Sequence, residues 1–346
     1  MSLPVRRQPL AAALLASAIC LGLLTGCGFS SDTGSSEGKA AAAGDGSFPV
    51  SLTNAWGRTE VKQKPVRVAT VSDGDTAIAL ALALGVVPVI TPDVEDGDKV
   101  AEYKQRAIEK LGEKKLTTYD DTDGTDYEAI AAEEPDVILG VNTWDMDADY
   151  AKLSPIAPVV TFGDKKESDT LTWQERLRTA AEALGLTAKA DAVIAANEKA
   201  LKDAAAAHLE FRGKVYTYSV VHSEQITYMS HADQDPGVFE QLGLVKHPRS
   251  KNYSADKNGV SLENLDELES DLLLMTYPFG DEGLLSASEL ESDKLFQSLD
   301  VVKKKHFAVV PSENTLASAI AYPDALSAPW VVENLTPILA KAVAGK

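Results

Sequence analysis

The chain has 346 residues, 45% apolar and 25% charged, with 52 acidic residues against 33 basic ones for a net charge of −19. An excess of acid this large makes nucleic acid and anionic membrane surfaces poor partners. The two cysteines, Cys20 and Cys27, are too few for a thiolate zinc site.

The N-terminus carries an address. Arg6 and Arg7 precede an apolar run over 10–24, "LAAALLASAICLGLL". That is the length of a signal peptide and short of the roughly 20 residues a membrane span needs. The run ends in "LLTGC", which resembles a bacterial lipobox. On that reading residues 1–26 are removed as a signal peptide, and Cys27 is lipidated and becomes the mature N-terminus. Residues 27–47 are rich in Gly, Ser and Ala and poor in large apolar residues, so they read as a tether. Cleavage takes two arginines from the 33 basic residues, so that 31 face 52 acids and the net charge becomes −21. It also removes Cys20, which leaves no disulfide and no thiol nucleophile in the mature chain.

The body begins near Phe48. An apolar strand over 66–71 enters a loop with Ser72, Asp73, Gly74 and Asp75, then a helix stopped by Gly85, then a short strand over 86–90. Strand–helix–strand is the mark of a parallel sheet. A helix around 99–111 follows, then strands over 137–141 and 159–162. Residues 48–168 thus read as an N-terminal α/β lobe. Residues 169–211 are Ala-rich, without proline, and predict a helical segment. Within it a spine runs from about Ala188 to Leu209 with Thr187 as its cap, on the order of 30 Å long. Residues 212–346 repeat the α/β pattern, with strands from Lys214, over 272–277 and over 307–310, and a closing helix near 330–343. The predicted fold is two α/β lobes with parallel-type sheets, joined by one long rigid helix, with a ligand cleft between them.

The order and spacing of "KPVRVATV", "ALGVVPVI", "LSPIAPVV", "TWQERLRTAAEALG", "FEQLGL" and "DALSAPWVVENLTPIL" make the mature chain resemble a known family. These are the substrate-binding lipoproteins of bacterial ABC importers for iron–siderophore complexes, haem and cobalamin, with the class III periplasmic-binding-protein fold. The resemblance implies a monomeric, non-enzymatic protein outside the cytoplasm, lipid-anchored to the membrane (periplasmic where an outer membrane exists), that hands its ligand to ABC permease subunits.

One passage is written twice. "DYEAIAAEEPDVILG" at 126–140 overlays "SLENLDELESDLLLM" at 261–275 without gaps, which aligns Glu128 with Glu263 and Asp136 with Asp271. In the family each lobe offers a surface glutamate, at the start of such a helix, to one of two permease subunits. Glu128 and Glu263 hold those positions. The plainer reading is that each glutamate serves its own helix dipole.

Ligands of open parallel sheets bind beyond the carboxyl ends of the strands. The candidate cleft residues are Asp73, Asn142 and Trp144 from the first lobe and His222, Tyr228, Met229, Tyr277, Phe279 and Tyr322 from the second. Aromatics bracketed by polar residues suit a bulky, partly apolar chelate, whereas Trp56, Trp173 and Trp330 read as core. Family members that hold anionic ferric complexes often place an arginine just before the first-lobe glutamate. Here that loop is "YDDTDGTDYE", without arginine. The expected ligand is therefore a ferric hydroxamate siderophore, with haem and cobalamin as alternatives in the same architecture. Its iron arrives already wrapped in oxygen ligands, so no cofactor or protein-held metal is expected. A secreted siderophore esterase is the remote alternative, and the sequence holds no G-x-S-x-G elbow for it.

Overall fold

The computed structural model describes residues 46–71, 76–93, 100–141, 146–167, 170–222, 225–228, 236–252, 259–278, 286–313 and 315–346. A hairpin of β1 (Val50–Asn54) and β2 (Gly57–Val61) leads into the first α/β run. That run comprises β3 (Val68–Thr70), α1 (Thr76–Ala83), β4 (Thr91–Pro92), α2 (Glu102–Lys110), β5 (Thr118–Tyr119), α3 (Tyr127–Ala132), β6 (Val137–Leu139), α4 (Met146–Leu153) and β7 (Val159–Val160). Two helices follow, α5 (Trp173–Leu184) and α6 (Thr187–Ala207). The second run comprises β8 (Val215–Val221), β9 (Ile226–Tyr228), α7 (Val238–Gln241), β10 (Val245–Lys246), β11 (Leu272–Thr276), α8 (Ala287–Ser292), α9 (Lys294–Ser298), α10 (Asp300–Lys303), β12 (Phe307–Val309), α11 (Leu316–Ala321) and α12 (Ser327–Val343).

Each half builds a parallel sheet. In the first the order is β3–β6–β7, with β4 bridged to β3 through Ala69 and Ile90 and paired to β5. In the second it is β10–β8–β11–β12, with β9 antiparallel on β8. The inner strands are buried along their whole length, as in "VIL" of β6 and "LLLMT" of β11. That is what a parallel sheet covered on both faces demands. The strand expected over 86–90 lies one step later, at β4, because Val89 and Ile90 engage β3 through single backbone bonds (Val89 N to Val68 O, Thr70 N to Ile90 O) rather than a ladder.

The helical segment follows its capping signals. Thr172 and Glu175 form a reciprocal capping box at the start of α5, and Gly185 ends that helix at φ +63°. The 21 residues of α6 span about 30 Å at 1.5 Å per residue. Thr187 is the first residue of α6 and Leu186 takes the cap position without a side-chain bond, so the expected Thr187 cap is corrected. Leu186 N bonds back to Ala181 O across the Gly185 turn, which leaves no room for a threonine cap.

The two halves meet at the segment just before α12. Asp324 and Lys104 of α2, both under 4% exposed, form an ion pair at 3.2 Å. The Tyr103 hydroxyl donates to the same carboxylate oxygen at 2.8 Å, and Leu326 N donates to the other at 2.8 Å. Next to it, Asn197 of α6 donates to Ala325 O at 3.0 Å. Ala325 sits in the first-lobe core, while Leu326 packs against three separate hydrophobic clusters. Breaking a buried pair leaves a charge without compensation. Lys104→Met or Asp324→Asn alone is expected to lower unfolding stability by about 3–5 kcal/mol in urea titrations. A loss under about 1 kcal/mol contradicts this role.

Candidate ligand cleft and docking face

The topology aims the carboxyl ends of β3, β6, β8 and β11 at the loops expected to hold ligand. Asp73, Asn142, Trp144 and Phe279 fall in those loops, and Met229 comes after β9, antiparallel to β8; all five lie outside the described residues, as does Cys27. Four cleft candidates are described. Tyr277 follows β11 directly, is 8% exposed, and its carbonyl accepts a hydrogen bond from Ser312 Oγ at 3.0 Å, which ties two of the second-lobe loops together. His222 follows β8, is half-buried, and bonds Thr227 Oγ1 through Nε2 at 2.9 Å. Burial pushes its imidazole below the ordinary histidine pKa, so it is neutral at pH 7. Tyr322, at the end of α11, is 68% exposed. Tyr228 is different. It is 2% exposed, packs in the second-lobe core and donates its hydroxyl to Glu267 O. The position on β9 that the sequence offered to the cleft faces inward, and Tyr228 is a core residue.

Trp330 and Trp173 pack in hydrophobic cores as expected. Trp56 likewise packs against the first-lobe core, within an aromatic group. It stacks on Tyr150 of α4 at 5.0 Å and contacts Phe162 at 5.4 Å, with Lys165 Nζ 5.0 Å above its ring. This cluster stands beside the carboxyl end of β7. No signal in the sequence joins the β1–β2 turn to α4, so it was missed.

The acidic loop before α3 makes no ion pair among the described residues. Hydrogen bonds from Thr122, first from its hydroxyl and then from its N–H at 2.9 Å to Oδ1, hold the Asp120 carboxyl below the usual range. Burial, with Asp120 and Asp93 nearby, raises that of Asp121. Asp126 caps α3 by accepting from Ala129 N at 2.9 Å. Lys152 lies over the Tyr127 ring and Lys165 pairs with Asp147, so neither neutralises the loop.

The repeated acids now separate by what they touch. Asp136 accepts from the backbone N–H groups of Val66 and Arg67 at 2.8 and 2.9 Å, and Asp271 from that of Val215 at 2.9 Å. Each closes the start of the strand next to its own, which is a structural role repeated once per sheet. Glu128 and Glu263 stand second in their segments, after the caps Asp126 and Ser261, and both are exposed. Neither carboxylate has a hydrogen bond or ion pair among the described residues. Asp126, not Glu128, does the capping in the first lobe. Both glutamates lie toward the cleft edge, since each segment runs from there back to the start of a central strand. The second one starts beside Val260, which bridges to Ile226 of β9.

Residues 68–314 match the periplasmic binding protein family. The chain belongs to that family. Its members bind solutes outside the cytoplasm and are not enzymes. No curated protein matches by sequence alone. Among solved structures, a periplasmic solute binding protein of Mycobacterium smegmatis shares 24% identity over 85% of this chain and 99% of its own, with TM-score 0.67. PiaA of Streptococcus pneumoniae in complex with ferrichrome shares 26% identity over 86% of this chain and 99% of its own, with TM-score 0.66. SirA of Staphylococcus aureus, complexed with staphyloferrin B, has the same fold at 21% identity, covering 84% of this chain and 98% of its own, with TM-score 0.60. Among the described residues no helix is long and apolar enough to cross a membrane, and no group of three or more His, Cys, Asp or Glu could hold a metal ion.

Proposed function

We propose that this family member is a monomeric lipoprotein, anchored outside the cytoplasm through Cys27, that captures a ferric siderophore of the hydroxamate type and delivers it to an ABC permease. The observation that carries delivery is the pair of exposed, unbonded glutamates at matched positions, one per sheet. The family uses such a pair to meet two related permease subunits, and a two-fold partner calls for the same group twice. The ligand class rests on charge. The acidic first-lobe loop has no cationic partner among the described residues and His222 is neutral, so a multiply anionic ferric catecholate would meet repulsion where it needs donors. The likeness to PiaA with ferrichrome bound agrees with a hydroxamate. The contacts we assign to the ligand are Asp73, Asn142, Trp144, His222, Met229, Tyr277, Phe279 and Tyr322.

Two experiments test these halves separately. Intrinsic tryptophan fluorescence of the protein from Ser47 onward should quench saturably with ferrichrome. Replacing Trp144 or Tyr277 by Ala should raise Kd at least about tenfold, as truncating an aromatic anchor does. Preference for a ferric catecholate, haem or cobalamin overturns the hydroxamate assignment and leaves the importer reading standing. For docking, the double reversal Glu128→Arg/Glu263→Arg should abolish ferrichrome uptake by cells while Kd stays unchanged. Normal uptake by that variant refutes the docking role.

A further inference from the structure

We propose that Asp149 of α4 is a positioning residue that holds the first-lobe docking glutamate in place, and that no equivalent stands among the described residues of the second lobe. The inference rests on Glu128 being a docking residue and concerns how it is presented.

Asp149 is 6% exposed. Its two oxygens are divided between the residues on either side of the α3 cap. Oδ2 accepts from Thr125 Oγ1 at 2.6 Å and Oδ1 from the Tyr127 hydroxyl at 2.5 Å. Asp126, between them, bonds Ala129 N, and Glu128 comes next in the chain. A second residue of α4 closes on the same ring, since Lys152 Nζ lies 4.5 Å from the Tyr127 centroid and 3.4 Å from its hydroxyl. The entry to α3 is thus fixed from both sides by one helix. A helix of only six residues does not hold its own first turn. A buried carboxylate with two hydroxyl donors gives that turn a single arrangement, because releasing either donor leaves the charge under-solvated.

In the second lobe Leu262 stands where Tyr127 stands in the first, is 36% exposed and has no hydroxyl to donate. The residue before it, Ser261, accepts from Asn264 of its own segment, Oγ from Nδ2 at 3.0 Å and the carbonyl from the backbone N–H at 2.9 Å. That segment is 3-10 in character and broken at Asn264, with φ −119° and ψ 35°. Two glutamates at matched positions are therefore mounted differently. The entry of the first is fixed to α4, whose first turn follows the carboxyl end of β6, whereas the segment of the second is tied only farther on, at Glu267, by the Tyr228 hydroxyl and by Arg249 at 2.6 Å among the described residues. Docking is expected to be pre-organised on the first lobe and adaptable on the second.

The test is a double-mutant cycle in the full-length protein, read as uptake of iron-55 ferrichrome by cells carrying each variant as their sole copy, with Kd for ferrichrome measured alongside. Asp149→Asn should leave Kd within about twofold and lower uptake about tenfold, as when the docking-competent arrangement falls to a tenth of the population. Tyr127→Phe, which removes one donor and keeps the carboxylate, should give a smaller fall. The deciding comparison is made in the Glu128→Ala background, where Asp149→Asn should lower uptake no further, because a positioning residue has nothing left to position. Additive losses in the double variant, normal uptake by Asp149→Asn, or a raised Kd overturn the inference while the docking reading stands. Normal uptake by Glu128→Ala removes the docking reading itself, and with it the inference. A wild-type strain that takes up no ferrichrome overturns both the hydroxamate assignment and this inference.

Discussion

The junction at Asp324 is the constraint on which the rest of the architecture depends. A buried carboxylate here is shared by a lysine and a tyrosine of α2, from the first half of the chain, and by the turn that starts α12, from the second. Two charges removed from water are tolerated only when the remaining lone pairs and protons are satisfied. Here the ammonium, a phenol and a backbone N–H do so. The next two residues carry the same connection in apolar form, Ala325 in the first-lobe core and Leu326 against three clusters. Around it Tyr103 meets Trp330 at 5.2 Å, and Arg106 reaches Glu333 at 3.4 Å. The lobes are joined by a packed corner in which α2 and α12 meet α6, the helix that links them in sequence.

A corner of that kind explains why one design can repeat an acidic segment and use its acids for two purposes. The two sheets repeat the same unit, so matched positions recur once per sheet. Asp136 and Asp271 close the backbone at the amino ends of their sheets, where any repeat of this unit needs an acceptor. Glu128 and Glu263, toward the other edge, contribute nothing evident to the fold. The proposed docking role rests on that contrast more than on the repetition alone.

The fold was legible because its signals are local. The Thr172–Glu175 box, Gly185 and the apolar runs of β6 and β11 lie within a few residues of the structure they specify. The site was legible only in part, and the errors share a cause. Tyr228 follows β8 through a hairpin, and nothing nearby in sequence shows that it joins the second-lobe core and bonds Glu267 O. The stack of Trp56 on Tyr150, the pair of Lys104 with Asp324 and the bonds of Asp149 to Thr125 and Tyr127 all join separate elements. Such contacts are set by packing, which one sequence does not display as periodicity or motif. Thr187 shows the opposite fault. A good capping residue stood at a plausible place, but the Schellman-like turn at Gly185 had already fixed where α6 begins.

A locked junction has one direct consequence. Capture of a ferric siderophore must proceed without wide closure of the lobes, so small-angle X-ray scattering with and without ferrichrome tests the account at its centre. A folded body of this size has a radius of gyration of about 19 Å. The account predicts the same value, within error, for the free and saturated protein. A clear contraction on binding would show that the corner at Asp324 opens and closes, and would contradict it.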